Sequence, residues 1–159
     1  MEDKHKIIVE ILNTMQYSSF LARELMQMVL CNCHIAQLTL EYGLCEYSAK
    51  SLAMIGNYSI LVFKNYDVAL FRDLAISIQN VIGKARACQT LFATYSYAMS
   101  WMVPLHEYTE VFYDAYIKGM QNGEVSFAMW CLNAHFVQIP FFLGKPLDQV
   151  IEDCFMIIG

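Results

Sequence analysis

The side chains able to do chemistry fall in four places: Cys31-Asn32-Cys33-His34, the acidic residues Glu107, Glu110 and Asp114 next to His106, the lone His135, and an aromatic stretch from Tyr95 to Tyr116. Thiolate and imidazole are zinc ligands, so the first is a candidate metal cluster. On a helix of 3.6 residues per turn, however, Cys31 and Cys33 point about 200° apart, and no second ligand pair follows at zinc spacing. Buried structural thiols are the expected role, with a catalytic cysteine partnered by His106 or His135 as the remote alternative. The three carboxylates are spaced by three and four residues and share one helix face. Such a pair can act as general acid and base, but the same spacing describes a solvated outer face, which is the expectation here. His135 sits in apolar sequence between Trp130 and Phe141-Phe142, and a core histidine with its ring nitrogens held by Asn or Ser neighbours is expected. No G-x-x-x-x-G-K-[ST] phosphate loop, glycine-rich kinase loop, kinase catalytic-loop pattern or histidine-kinase box occurs. No catalytic residue, metal or cofactor is therefore expected in this chain.

The aromatic stretch is the more promising surface. Tyr95, Trp101, Tyr108, Tyr113 and Tyr116, with Met99, Met102 and Met120 among them, form a candidate partner groove, because Tyr, Trp and Met are enriched where proteins meet. The same residues also suit the filling of gaps between stacked helices. Both readings stay open at the level of sequence.

What must position these residues is helical. Apolar residues recur at three and four rather than two, and proline is confined to Pro104, Pro140 and Pro146. The expected architecture is an all-α, TPR-like α-α superhelix of about seven helices. In residues 1–44 a first helix over about Asp3 to Met15 carries the stripe Ile7, Ile8, Ile11 and Leu12. A second, about Ser19 to Tyr42, stops at Gly43. Three helical hairpins follow, over 45–83, 84–123 and 124–159. The first joins Glu46–Lys64 to Asp67–Ile82 through a break near Asn65 and Tyr66, and Gly83 closes it. The second joins Lys84–Met102 to Leu105–Gln121 across Pro104, which disfavours a helical Val103, and ends at Asn122-Gly123. The third joins Glu124–Leu143 to Leu147–Ile158 across Gly144-Lys145-Pro146, where proline presets the helical φ. Breaks at Tyr66, Leu105 and Pro146 give a period of about 40 residues, typical of helical repeats. Gly56 lies inside a helix, and its cost of about 1 kcal/mol there implies a close helix crossing. The first helix of each hairpin is almost uncharged and the second carries the charge, so an inner and an outer layer are expected.

Totals narrow the function classes. Hydrophobic residues make up 57% and charged residues 16%, with mean hydropathy +0.37. That is greasier than an ordinary soluble domain. Either neighbouring protein covers apolar surface, or helices sit in lipid. Ala87 to Leu105 and Val125 to Gly144 are long enough to span a bilayer, but they hold Gln89, Thr90, Ser96, Ser100, Asn133, His135 and Gln138 and lack a consistent Lys/Arg flank. A small multi-pass membrane protein is accordingly the alternative to a scaffold. The net charge of −5 and only 10 Lys plus Arg, scattered, argue against nucleic-acid binding. Six cysteines within helical patterns favour reduced thiols and a cytoplasmic setting, and the mixed-charge N-terminus is not a signal or transit peptide.

The run Leu38-Thr39-Leu40-Glu41-Tyr42-Gly43, then Ser48-Ala49, Gly56 and Tyr66-Asp67-Val68-Ala69-Leu70-Phe71, resembles the TPR-like helical region that follows the AAA-type (STAND) ATPase module in hybrid serine/threonine kinase, ATPase and sensor histidine kinase signalling proteins. Pro104-Leu105, the segment from Tyr113 to Gly123, and Gly144-Lys145-Pro146-Leu147 extend the likeness over about Ile8 to Cys154. The Trp, Leu-Gly and Pro positions of the usual tetratricopeptide pattern are poorly met. The resemblance implies a non-catalytic scaffold that makes protein or interdomain contacts in signalling and relays the state of an ATPase to a kinase. The apolar end Phe155-Met156-Ile157-Ile158 suggests a segment of a longer array, or a stand-alone adaptor that self-associates there.

Overall fold

Helical periodicity carries through to the structure. The computed structural model describes residues 1–63, 67–98 and 102–158, and every regular element among them is helical. In order these are α1 (Asp3–Ala22), α2 (Leu25–Tyr42), α3 (Ser48–Phe63), α4 (Val68–Ile82), α5 (Ala87–Ala93), a 3-10 turn (Leu105–Glu107), α6 (Thr109–Gln121), α7 (Val125–Phe142) and α8 (Leu147–Ile158). Counting α7 as one, eight helices appear among the described residues rather than about seven. Two of them change pitch: α5 runs on into a π turn, Thr94–Ala98, and α7 contains a second, Ala134–Gln138.

Neighbouring helices pair as α1 with α2, α3 with α4, α5 with α6, and α6 with α7, and α3, α5 and α7 contact one another in sequence through the interior. Gly43, Gly83 and Gly123 take positive φ of 90°, 88° and 76° and end α2, α4 and the turn after α6, so the helices stop where side chains are disfavoured. Gly144 does the same before α8. Gly56 is buried, and a Cβ there would lie 2.6 Å from the Cβ of Phe71, which explains the glycine as the crossing point of α3 and α4. Three core clusters run along the array: Val9, Ile35 and Tyr47; Met28, Ala53, Met54, Tyr58 and Ala75; and Cys88, Tyr108, Phe112, Ala128, Cys131 and Ile139.

The layering holds for α3 and α5, whose residues Ser48–Ser51 and Ala87–Thr90 are buried in unbroken runs, while Glu107, Glu110 and Asp114 lie on a solvated face as expected. It is weaker for α7, where Val125 and Met129 are exposed. α7 is also the one helix among the described residues long and apolar enough to cross a membrane by length and composition.

Several boundaries differ from the sequence reading. α1 runs to Ala22 and the break falls at Arg23, in the left-handed region at φ 61°, and Glu24. Ser19 lies inside α1 rather than at the start of α2; its hydroxyl donates to the Met15 carbonyl one turn back, while the amides of Arg23 and Glu24 close the end onto Phe20 and Ser19. The expected stripe of α1 is turned as well. Ile7, Ile8 and Ile11 are exposed, and Val9, Gln16 and Ser19 are buried instead, because α1 presents that side to α2 and α3. The second hairpin's outer helix starts at Thr109, since Pro104 leads into the 3-10 turn and Tyr108 leaves helical geometry at φ −122°. Tyr66 and Trp101 lie outside the described residues.

Candidate functional site

The aromatic groove read from the sequence divides in two. Tyr95, on the π turn after α5, stands 5.8 Å from Tyr108, which in turn stands 6.0 Å from Phe112. Tyr113 and Tyr116, on the other side of α6, pair with each other at 6.1 Å, and Tyr113 meets His135 at 5.3 Å and Phe136 at 6.2 Å. One group faces the α5 side and the other faces the second π turn.

The first group borders a cavity of about 450 Å³, lined by Tyr95, Ser96, Leu105, Tyr108, Phe112, Ala134, Gln138, Ile139 and Phe142. Both π turns contribute to its wall. A π turn pushes one extra residue into a helical turn and re-aims the side chains beside it, and such turns concentrate at functional sites. The Tyr108 side chain is 3% exposed and its hydroxyl has no hydrogen-bond partner, and the buried Ser96 hydroxyl has none either. Burial also raises the Tyr108 phenol above its ordinary pKa, so it stays protonated. Tyr116 borders a separate cleft of about 460 Å³ with Met129, Leu132, Phe136, Val137 and Cys154.

His135 is half-buried, but its partner is not an Asn or Ser side chain. Its Nδ1 lies 2.9 Å from the Thr109 carbonyl, which can only accept, so that nitrogen carries the proton. Cys31 is buried and Cys33 exposed, on opposite sides of α2 as their spacing requires, and no group of three His, Cys, Asp or Glu residues able to hold a metal occurs among the described residues. Cys88 and Cys131 are wholly buried with their sulfurs 3.7 Å apart, and the Cys88 contact together with burial drives the Cys131 thiol far up, leaving it inert.

Two buried charges escaped the sequence reading. Lys50 is 4% exposed on the inner face of α3, where its ammonium donates to Asn13 Oδ1 and Gln16 Oε1, both at 2.5 Å, and lies 5.8 Å from the Phe127 ring centroid. No ion pair of Lys50 occurs among the described residues. Burial, with a smaller push from Arg86, lowers its pKa to about 7. The signal was there: Lys50 is the single charge between Ser48 and Phe63. Glu124, 6% exposed, sends its carboxylate back across the repeat to accept from the amides of Cys88 and Gln89, at 3.4 and 3.2 Å, at the start of α5. Burial raises its pKa, and those amides oppose the rise.

These residues sit where the ends of the array meet. Tyr17 and Phe20 of α1 lie 6.0 and 5.3 Å from Trp130 of α7, and Phe127 lies 6.4 Å from Tyr17. Aromatic contacts thus join α1 to α7, and Phe20 and Trp130 also line a cleft of about 480 Å³ with Phe92, Ser96, Asn133 and Gln138. No family model, curated protein or solved structure matches the chain.

The remaining feature is the outer side of the last helices. In α8, Val150 is buried, while Leu147, Ile151 and Phe155 recur every four residues at 61%, 47% and 70% exposure. Phe141, Phe142 and Leu143 at the end of α7 are exposed beside them. Val150 and the exposed Leu147, Ile151 and Phe155 share one apolar stripe of α8, and the fold covers only the Val150 edge of it.

Proposed function

We propose that this chain is a non-catalytic, TPR-like helical-repeat scaffold that makes protein–protein contacts in a cytoplasmic signalling assembly. The observation that supports this most is the uncovered apolar stripe Leu147, Ile151 and Phe155 with Phe141 and Phe142. Helical repeats bury their apolar faces on the next repeat, and the outward side of α8 is shaped to receive another helical pair. Contiguous exposed apolar surface of this kind marks protein contact sites. The occupant is a helical pair with its own apolar face, from an adjacent domain or, in the purified protein, from a second copy.

The aromatic residues Tyr95, Tyr108, Tyr113 and Tyr116 offer a second contact surface, with Tyr113 exposed beside His135 and Phe136 of α7. The kinase and ATPase context rests on the resemblance alone. A test is the thermal stability of a Phe142→Asp/Phe155→Asp variant against its assembly. Replacing two exposed side chains should leave helix content and melting within a few degrees of wild type, while association is lost. Loss of folding together with association would instead make these residues part of the core.

A further inference from the structure

The first and last helices carry matching apolar faces. On α1, Ile7, Ile11 and Met15 recur every four residues and are exposed, and on α8 Leu147, Ile151 and Phe155 do the same. Each row spans about 12 Å of helix, and rows at this spacing are the ridges that interdigitate when two helices pack. In a stacked helical array the last helix of one unit receives the first helix of the next. Charge distinguishes the two faces. Lys4 is exposed and stands three residues before Ile7 and seven before Ile11, on the same side of α1. Asp148 and Glu152 are exposed and stand three residues before Ile151 and Phe155. No ion pair of Lys4, Asp148 or Glu152 occurs among the described residues, whereas Asp3 is taken by Lys6 and Asp153 by Lys145. Glu10 stands at the far edge of the α1 row, where its charge acts on Tyr47.

We infer that the exposed face of α8 docks the α1 face of a second copy of this chain, with Lys4 of one copy set against Asp148 and Glu152 of the other. Two α8 faces brought together would place Asp148 and Glu152 against their own copies, with Lys145 already engaged, and like charges at a contact are unfavourable. Pairing α8 with α1 matches the apolar rows and joins opposite charges at their edge. The contact is heterologous, so each docked copy keeps one face free and further copies add head to tail instead of stopping at a dimer. This stacking rests on the docking role of α8 proposed above and gives it an occupant, the α1–α2 pair of the next copy.

The test is complementation between two blocked chains, Ile11→Asp on the α1 face and Phe155→Asp on the α8 face, followed by sedimentation velocity. Both side chains are exposed, so helix content and melting should stay within a few degrees of wild type. Each variant alone should remain at 18.3 kDa, and an equal mixture should reach twice that mass and stop, because one chain keeps its α8 face and the other its α1 face. Wild type should climb past twice 18.3 kDa. A gentler pair of variants checks the charges: Lys4→Glu should weaken association about threefold, and Lys4→Glu/Asp148→Lys/Glu152→Lys should restore it. An Ile11→Asp chain that associates as wild type does, or a mixture that stays at 18.3 kDa, would overturn the inference and leave the docking role of α8 standing. A wild type that stays at 18.3 kDa would remove that docking role itself.

Discussion

Lys50 shows how one side chain can set the pH response of the whole fold. Its ammonium is taken from water, held by two amide oxygens and a ring face, and shifted to a pKa of about 7. An unfolded lysine titrates near 10.4, so between about pH 7 and that value the unfolded chain holds more protons than the folded one. Stability therefore rises with pH through that window, and the penalty is full below about pH 7. From pH 6 to pH 8 the unfolding free energy should increase by about 1.4 kcal/mol from this group, and Lys50→Met should lose that increment in urea titrations at the two pH values. Equal pH dependence in the two proteins would show that the amine is not buried as described. Gly56 makes a second residue-level prediction. Alanine would gain helix propensity, about 1 kcal/mol, but its Cβ would sit 2.6 Å from Phe71 Cβ, so overpacking of about 1–3 kcal/mol should prevail and the urea midpoint should fall.

Among the elements, α5 is held at its start by a side chain that directly precedes α7. Glu124 follows Gly123 and caps the first amides of α5 from across the interior, which couples α7 to α5 more directly than apolar contact does. Glu124→Ala should cost about 1–3 kcal/mol in denaturant unfolding, Glu124→Gln less, and Glu110→Ala, on the solvated face, within about 0.5 kcal/mol of wild type. Similar losses for all three would remove the inter-repeat cap from the account. Periodicity and turn chemistry made most helices legible: Gly43, Gly83, Gly123, Gly144 and Pro146 stand at stops, and Gly56 at a crossing. The end of α1 was not legible because Arg23 carries the left-handed turn, a conformation its side chain does not announce, while Ser19, the expected start of α2, bonds backward within α1. The rotation of α1 was hidden too, since Gln16 and Ser19 are buried by partners 34 residues away in Lys50 and one turn back in Met15, whereas Ile7 and Ile11 face outward. Aromatic density drew attention to Tyr95 and Tyr108, but nothing in the sequence marks the π turns that border the cavity beside them.

At the scale of the molecule, the first and seventh helices meet through aromatic rings, and apolar side chains remain exposed on the last helices. α1 reaches α7 through Tyr17, Phe20, Phe127 and Trp130. The high apolar content left over appears on the outside, most coherently along α8. The most direct measurement is light scattering coupled to size exclusion on the purified chain from about 10 to 300 µM, for wild type and Phe142→Asp/Phe155→Asp. The scaffold reading predicts a wild-type mass that climbs above 18.3 kDa with concentration and a folded variant that stays at that mass. A wild-type chain that remains at 18.3 kDa across the whole range would contradict it.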